Sequence, residues 1–169
     1  MKLYLMRHGI ATEPSAGPAK NDAQRPLTEE GRSETRLVST GLKRLGVKPD
    51  LILASPLVRA YQTAEIVAEV LGASGSLHVC EALAPGGAAQ ELYKSLRDYQ
   101  SADDVFLVGH EPDMSELAVT LLWAGPELDM PFKKAGICLI DISGIPPNAP
   151  GTLRWFVTPK IARVMAGKS

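Results

Sequence analysis

Cysteine is scarce in this chain, with Cys80 and Cys138 the two among 169 residues. The pair could form a disulfide, act as a nucleophile or supply half of a metal site. Because the two residues are far apart and each lies in an apolar stretch, we expect two buried thiols in a reducing compartment instead.

Neither sign of charge is in excess: 18 Lys and Arg residues face 19 Asp and Glu residues, for a formal net charge of -1. A protein that grips nucleic acid in general needs surplus cations to neutralise phosphates, so no nucleic-acid partner is expected. The balance gives no reason to expect binding to an anionic membrane either. Any affinity for an anion must therefore come from a few locally placed cations.

Long hydrophobic runs are also missing, and no stretch approaches the length that spans a membrane. The apolar run at the start is interrupted by Arg7 and His8, which makes it too short for a signal peptide. The Cys, His, Asp and Glu residues do not show the sequence spacing that is typical of a metal site. We therefore expect a cytoplasmic protein with no metal and no cofactor.

Short apolar runs alternate with longer stretches of helical periodicity. The length fits one domain over residues 1–169. Alternation of this kind predicts an α/β fold, a three-layer α/β/α sandwich with a mostly parallel central sheet. The last two strands are candidates for antiparallel pairing. The predicted strands cover residues 3–6, 51–54, 77–80, 105–108, 137–142 and 153–158.

Several residues predict where helices begin and end. Thr28 fits an N-cap, and the acidic residues after it suit a helix N-terminus. Ser55 and Pro56 predict a second start, with serine as the cap and proline in the first helical position. Gly46 and Gly72 are plausible helix ends. Residues 10–26 are too broken by proline, alanine and glycine for a regular element.

Two of the three histidines stand at the ends of predicted strands, His8 after the first and His110 after the fourth. Each adjoins a glycine, Gly9 or Gly109, which allows a tight turn and a close ligand approach. Ligands of parallel sheets collect outside the carboxyl ends of the strands. Taken alone, either histidine could be a structural residue.

Three arginines can join this edge. Arg7 precedes His8, and Arg25 lies just before the first predicted helix. Arg59 lies in the first turns of the second helix, where side chains lean back toward the helix N-terminus. Each alone could be a solvated cation, but two histidines and three arginines at one sheet edge predict an anion site.

Three segments carry a more specific signal: 5–9 (LMRHG), 55–64 (SPLVRAYQTA) and 108–111 (VGHE). Together and in this order they resemble the histidine phosphatase superfamily, which is named for its Arg-His-Gly signature. The likeness runs from residue 3 to about residue 114. The RPLT sequence at 25–28 and the KKAG sequence at 133–136 are similar to those of the small SixA-type phosphohistidine phosphatases. The resemblance implies a phosphoglycerate-mutase-like fold.

By this resemblance, His8 is the nucleophile that becomes phosphorylated, and water then releases phosphate from it. Arg7, Arg25 and Arg59 would bind the phosphoryl oxygens, since a guanidinium matches an oxyanion in a bidentate manner and keeps its charge. His110 would donate to an equatorial oxygen as charge develops there. No metal is needed, because the arginines supply the positive charge.

A general acid is less clearly indicated. Larger members of the superfamily place an acidic residue after the third strand, where this chain has Glu81. Glu81 could serve as that acid or be an exposed loop carboxylate. An alkoxide leaving group needs a proton, whereas the imidazole of a phosphohistidine can leave neutral if its other nitrogen is protonated. A missing acid therefore favours a phosphoramidate substrate.

These observations predict a phosphatase whose substrate is phosphohistidine on a protein partner. Two alternatives remain open: a phosphatase of small phosphate esters, and a phosphate-binding or phosphoprotein-binding module without catalysis. Residues 10–24 follow the nucleophile and are expected to border the site without forming a deep lid. They could also be a simple connector.

Overall fold

The structure, a computed structural model, describes residues 1–14, 22–125 and 127–167. A six-stranded sheet lies at its centre, in the order β3-β2-β4-β1-β5-β6. Strands β1 to β4 are parallel, while β5 is antiparallel to both of its neighbours. The strands are β1 (Lys2–Arg7), β2 (Leu51–Ala54), β3 (Leu77–Val79), β4 (Asp104–Gly109), β5 (Ile137–Asp141) and β6 (Thr152–Val157).

Five α-helices cover the two faces of the sheet. Along β1, Leu3 and Leu5 pack on one face and Tyr4 and Met6 on the other, all of them buried. The first face is covered by α3 and α4, and the second by α1, α2 and α5. The predicted three-layer α/β/α fold is thereby confirmed. The helices are α1 (Glu29–Arg44), α2 (Val58–Leu71), α3 (Ala89–Arg97), α4 (Asp113–Leu121) and α5 (Pro159–Met165).

Most of the predicted helix signals are confirmed. Thr28 caps α1, and its side chain accepts a hydrogen bond from the Gly31 amide. Gly72 ends α2 in the left-handed conformation with φ 75°. Helix α1 ends at Arg44, and Gly46 turns the chain two residues later with φ 78°.

The predicted start of α2 is wrong by two residues. The helix begins at Val58, and Leu57 occupies the cap position without a side-chain cap hydrogen bond. The Ser55 hydroxyl accepts from the Leu57 amide at 3.3 Å, before the helix begins, and also lies 2.8 Å from Nε2 of His110. The serine that was predicted to cap the helix instead contacts one of the two histidines, His110.

Cys80 and Cys138 are both buried and free, as expected for structural thiols. Within the described ranges, no helix is both long enough and apolar enough to cross a membrane. The segment expected to border the site, 10–24, includes residues 15–21, which lie outside the described residues. The single domain over residues 1–169 stays a prediction.

Candidate active site

The two strand-end histidines lie side by side. Strands β1 and β4 are neighbours, with Arg7 paired to Gly109, and the His8 amide donates to the Gly109 carbonyl at 3.0 Å. The imidazole ring centroids of His8 and His110 are 5.2 Å apart, and the rings are tilted by 55°. Both side chains are buried. The parallel pairing of two non-consecutive strands thus builds the core of the site.

The hydrogen bonds of His8 assign its tautomer. Its Nδ1 lies 2.7 Å from the Gly9 carbonyl oxygen. A carbonyl can only accept, so Nδ1 carries the proton and donates it, and the lone pair of Nε2 stays unprotonated. Gly9 is required here, because a Cβ at this position would lie 2.6 Å from Oγ1 of Thr35. His8 is therefore held with its nucleophilic nitrogen unprotonated.

His110 has the opposite tautomer. The Ser55 hydroxyl accepts from the Leu57 amide at 3.3 Å and lies 2.8 Å from His110 Nε2. The Ser55 proton has no other acceptor among the described residues, so we assign it to the bond with Nε2, and this assignment places the ring proton on Nδ1. That Nδ1 is buried and has no acceptor among the described residues. A buried donor without an acceptor is expected to meet one in a ligand.

Arg59 and Arg7 supply cations beside the two rings. Arg59 is buried, and its Nε donates to the lone pair of His8 Nε2 at 3.3 Å. Arg7 donates from Nη1 to the Phe132 carbonyl at 2.7 Å. The Nε of Arg7 is a second buried donor with no acceptor in the part of the chain that the structure describes. The pair can thus offer charged N–H groups to an oxyanion at His8.

Arg25 joins the cluster through an acidic residue, Asp22. One Asp22 oxygen accepts from Arg25 Nη1 at 2.6 Å, and the other accepts from Arg59 Nη2 at 2.9 Å. The Asp22 backbone carbonyl also accepts from Arg59 Nη1 at 2.8 Å. Arg25 Nε is held by the Thr12 carbonyl at 2.6 Å. Arg25 is thus brought to the site, but as a partner of Asp22.

Burial and the neighbouring cations keep both histidines neutral. Burial is the largest cause that lowers the pKa of His8 to about 3, helped by His110, Arg59 and Arg7, while the bond to Gly9 opposes it. Burial and Arg59 lower the pKa of His110 to about 4. At neutral pH His8 therefore has a free lone pair and His110 is a neutral donor.

Glu81 lies apart from this cluster. It is exposed in a short 3-10 turn that follows β3, the edge strand of the sheet. That strand is three positions from β1, so the two strand ends are separated by roughly 14 Å. Glu81 lines a depression shared with the start of α3, including Ala88 and Glu91. The structure does not bring it into contact with His8.

Glu111 links the chain beside His110 to the residue that holds Arg7, a role that was not predicted from the sequence. One Glu111 carboxylate oxygen accepts from the Phe132 amide at 2.5 Å, and the other accepts from the Ser115 hydroxyl at 2.5 Å. Phe132 in turn provides the carbonyl that holds Arg7. In the sequence, only its position next to His110 could have indicated a role for Glu111 in the site. For Asp22, the only such indication was its position three residues before Arg25.

No group of three or more His, Cys, Asp or Glu side chains that could hold a metal ion occurs within residues 1–14, 22–125 and 127–167. Arg7 and Arg59 are the cations that lie beside the two rings. Their buried donors, beside an unprotonated imidazole nitrogen, suit a phosphoryl group that is transferred to His8.

Known proteins of similar sequence include phosphatases, in agreement with the chemistry of this site. The sequence model of the histidine phosphatase superfamily (branch 1) matches residues 3–85. Phosphohistidine phosphatase SixA of Escherichia coli K12 is 30% identical over 161 residues, which cover 94% of each chain. An uncharacterised protein of Picosynechococcus is 40% identical over 140 residues, 81% of this chain and 82% of that protein.

A solved structure of the protein histidine phosphatase SixA with tungstate superposes with a TM-score of 0.81 at 29% identity, covering 95% of this chain and 98% of that one. The shared fold therefore extends well beyond the residues of the family match. The chain belongs to the histidine phosphatase superfamily, and within it resembles SixA over nearly its whole length.

Proposed function

We propose that the protein is a phosphohistidine phosphatase that passes the phosphoryl group of a protein substrate through His8. The observation that carries the proposal is the pairing of tautomers. His8 holds an unprotonated Nε2 beside Arg59 Nε, and His110 holds a buried Nδ1–H that lacks an acceptor in the described structure. One ring can attack phosphorus while the other donates to a phosphoryl oxygen.

In the first step, the Nε2 lone pair of His8 forms a bond to phosphorus and the bond between phosphorus and the substrate breaks. Arg7, Arg59 and His110 donate to the equatorial oxygens, where charge spreads in the transition state. Arg25 is held beside the site by Asp22, whose carboxylate offsets its charge. The proton stays on His8 Nδ1 throughout, hydrogen-bonded to the Gly9 carbonyl, so the phosphorylated ring is an imidazolium.

In the second step, water attacks phosphorus and the bond to Nε2 breaks. The electron pair returns to Nε2, and His8 leaves as the neutral imidazole it was at the start. The protons of the water remain on the phosphate or pass to solvent. Because the hydrogen bond to Gly9 keeps the starting tautomer, no proton has to be moved on His8 to begin another cycle.

The choice of a phosphoramidate follows from the distribution of acids. Glu81 lies apart from His8, and Asp22 is held as a carboxylate because its bonds to Arg25 and Arg59 lower its pKa. Neither is suited to protonate an alkoxide. The imidazole of phosphohistidine needs no such acid, since it leaves neutral when its second nitrogen carries a proton.

Support for a protein substrate comes from a depression that the chain following the nucleophile helps to line. It is lined by Ile10, two residues after His8, and by Lys133, Lys134 and Lys160. Glu34 also lines it, but its charge is paired with Arg163. This local positive charge stands out in a chain whose formal net charge is -1. An acidic protein surface carrying the phosphohistidine would fit it.

The test is phosphate release by the wild type and by His8→Ala, from a phosphohistidine protein and from simple phosphate esters, with metal chelator present. We expect release that depends on His8 and is faster from phosphohistidine. Faster release from esters would replace the proposal with a small-molecule phosphatase. No release, with phosphate binding intact, would support a binding module.

A further inference from the structure

We propose that Asp22 is a specificity-determining residue, whose carboxylate favours phosphoryl donors with a cationic N–H leaving group over dianionic phosphate esters. The inference rests on the proposed function, because it explains how that site would select a phosphoramidate. Neither the family match nor the named relatives assign a role to this residue.

The first argument is the position of Asp22. The Arg59 guanidinium lies next to His8 Nε2 through its Nε and contacts Asp22 through its two other nitrogens. His8 Nε2 and the Asp22 carboxylate are therefore separated by no more than one guanidinium group and the hydrogen bonds on either side of it. A phosphoryl group bound between Arg59 and His8 would have the carboxylate as a close neighbour.

The second argument is charge. Asp22 remains an anion because the hydrogen bonds from Arg25 and Arg59 lower its pKa. The Asp22 carboxylate is half exposed, so water screens its charge in part, but two negative charges separated by one guanidinium group at a protein surface still repel enough to change binding by about tenfold. Asp22 thus weakens the attraction of the two arginines for any dianion, including inorganic phosphate.

The third argument is accessibility. The Asp22 side chain is 51% exposed although both of its oxygens are bound to arginines. A carboxylate has about four lone-pair positions, so each oxygen can accept one more hydrogen bond. The N–H of a leaving group that enters from solvent can therefore reach it.

These features suit the imidazole of a phosphohistidine. With its second nitrogen protonated, the ring is cationic and carries an N–H that Asp22 can accept. When the P–N bond breaks, the electron pair goes to the ring nitrogen and the ring leaves as neutral imidazole, with its proton retained. A phosphate ester offers neither the positive charge nor the N–H, and meets only the repulsion.

The experiment compares wild type with Asp22→Asn, which keeps the shape of the side chain and removes its charge. The probes are free phosphohistidine, phenyl phosphate and inorganic phosphate as a competitive inhibitor. Glu69→Gln is the matched control, because Glu69 is also an exposed carboxylate paired with an arginine, Arg36. It lies ten residues beyond Arg59 on α2, about 15 Å along the helix.

In Asp22→Asn we expect the ratio of kcat/KM for phosphohistidine over phenyl phosphate to fall about tenfold. Inhibition by inorganic phosphate should become tighter, and Glu69→Gln should change neither. An unchanged ratio would overturn the inference. So would weaker inhibition by phosphate, which would mean that Asp22 only holds the arginines in place. If wild type itself prefers the ester, the proposed function fails, whatever the variant does.

Discussion

At the scale of single residues, the chemistry of His110 depends on one buried hydroxyl. The ring itself can take either tautomer, and only one of them presents a donor at Nδ1. Ser55 decides between them because its proton is directed to Nε2 while its lone pair accepts from the Leu57 amide. A residue with no reactive role thereby sets the direction of a hydrogen bond in the site.

Replacing Ser55 by alanine should therefore lower kcat about tenfold, since the ring would lose both its fixed tautomer and a buried hydrogen bond. The measurement is steady-state hydrolysis, with nitrogen NMR of His110 to read which ring nitrogen carries the proton. Ser39→Ala is the control, because Ser39 is an equally buried hydroxyl that donates to Thr35 within α1. Equal losses of kcat in both variants would refute the assignment.

Single residues also show what could be predicted from the sequence and what could not. His8 and His110 follow apolar runs and adjoin glycines, so their place at one sheet edge can be read from the order of residues. The roles of Asp22 and Ser55 cannot, because they depend on side-chain contacts with partners 37 and 55 positions away. The place of Arg25 was predicted, whereas its attachment to Asp22 was not.

At the scale of elements, α1 fixes the chain that leaves the nucleophile. The Thr28 amide donates to the Ile10 carbonyl at 3.0 Å. Gly31 in the first turn approaches so closely that a Cβ there would lie 2.0 Å from the Ile10 carbonyl oxygen. The path of residues 8–10 therefore depends on a helix position that has no side chain.

We expect Gly31→Ala to destabilise the protein, although alanine is the better helix former by about 1 kcal/mol. The new methyl group meets backbone, which cannot move aside cheaply, and overpacking of this kind costs about 1–3 kcal/mol or more. Urea unfolding measures the loss, and hydrolysis should fall because the segment after His8 shifts. Gly75→Ala is the control, since a Cβ there has nothing within 4 Å. Unchanged stability in Gly31→Ala would contradict the packing argument.

The elements themselves were predicted well where they are long and periodic. All six strands were placed to within a few residues, and the buried parallel strands β1, β2 and β4 are recognisable as short apolar runs. The start of α2 was misplaced because Ser55 and Pro56 fit a helix cap as well as a loop. The short helix α5, Pro159–Met165, was not predicted. Seven residues are too few to show a helical period clearly.

At the scale of the whole molecule, the two neutral histidines link the site to folding. In the unfolded chain both would have the ordinary pKa near 6.5, whereas in the folded protein the pKa is about 3 for His8 and about 4 for His110. Between these values the unfolded chain binds more protons than the folded one. Acid therefore favours unfolding while leaving the folded nucleophile unprotonated.

The stability of the protein should thus be full above pH 6.5 and fall as the pH decreases toward the folded pKa values. Each histidine contributes about 1.4 kcal/mol per pH unit well below pH 6.5, so that the pair removes about 4 kcal/mol between pH 7.5 and pH 5. Asp22 and Glu69, whose pKa values are lowered, contribute fully above the ordinary pKa range of carboxyl groups and lose their contributions only as the pH falls through that range. They therefore do not obscure this window.

Urea unfolding at a series of pH values tests this in wild type and in His8→Gln, which removes one of the two protons. The variant should lose about half as much stability between pH 7.5 and pH 5, about 2 kcal/mol, whatever its stability at neutral pH. Gly75→Ala changes no titratable group and should follow the wild-type curve. A flat wild-type curve across this interval would mean that the folded chain binds protons at the same pH as the unfolded chain. In that case the pKa of His8 would be near 6.5, and the burial that is argued to keep its Nε2 unprotonated in mild acid would be absent.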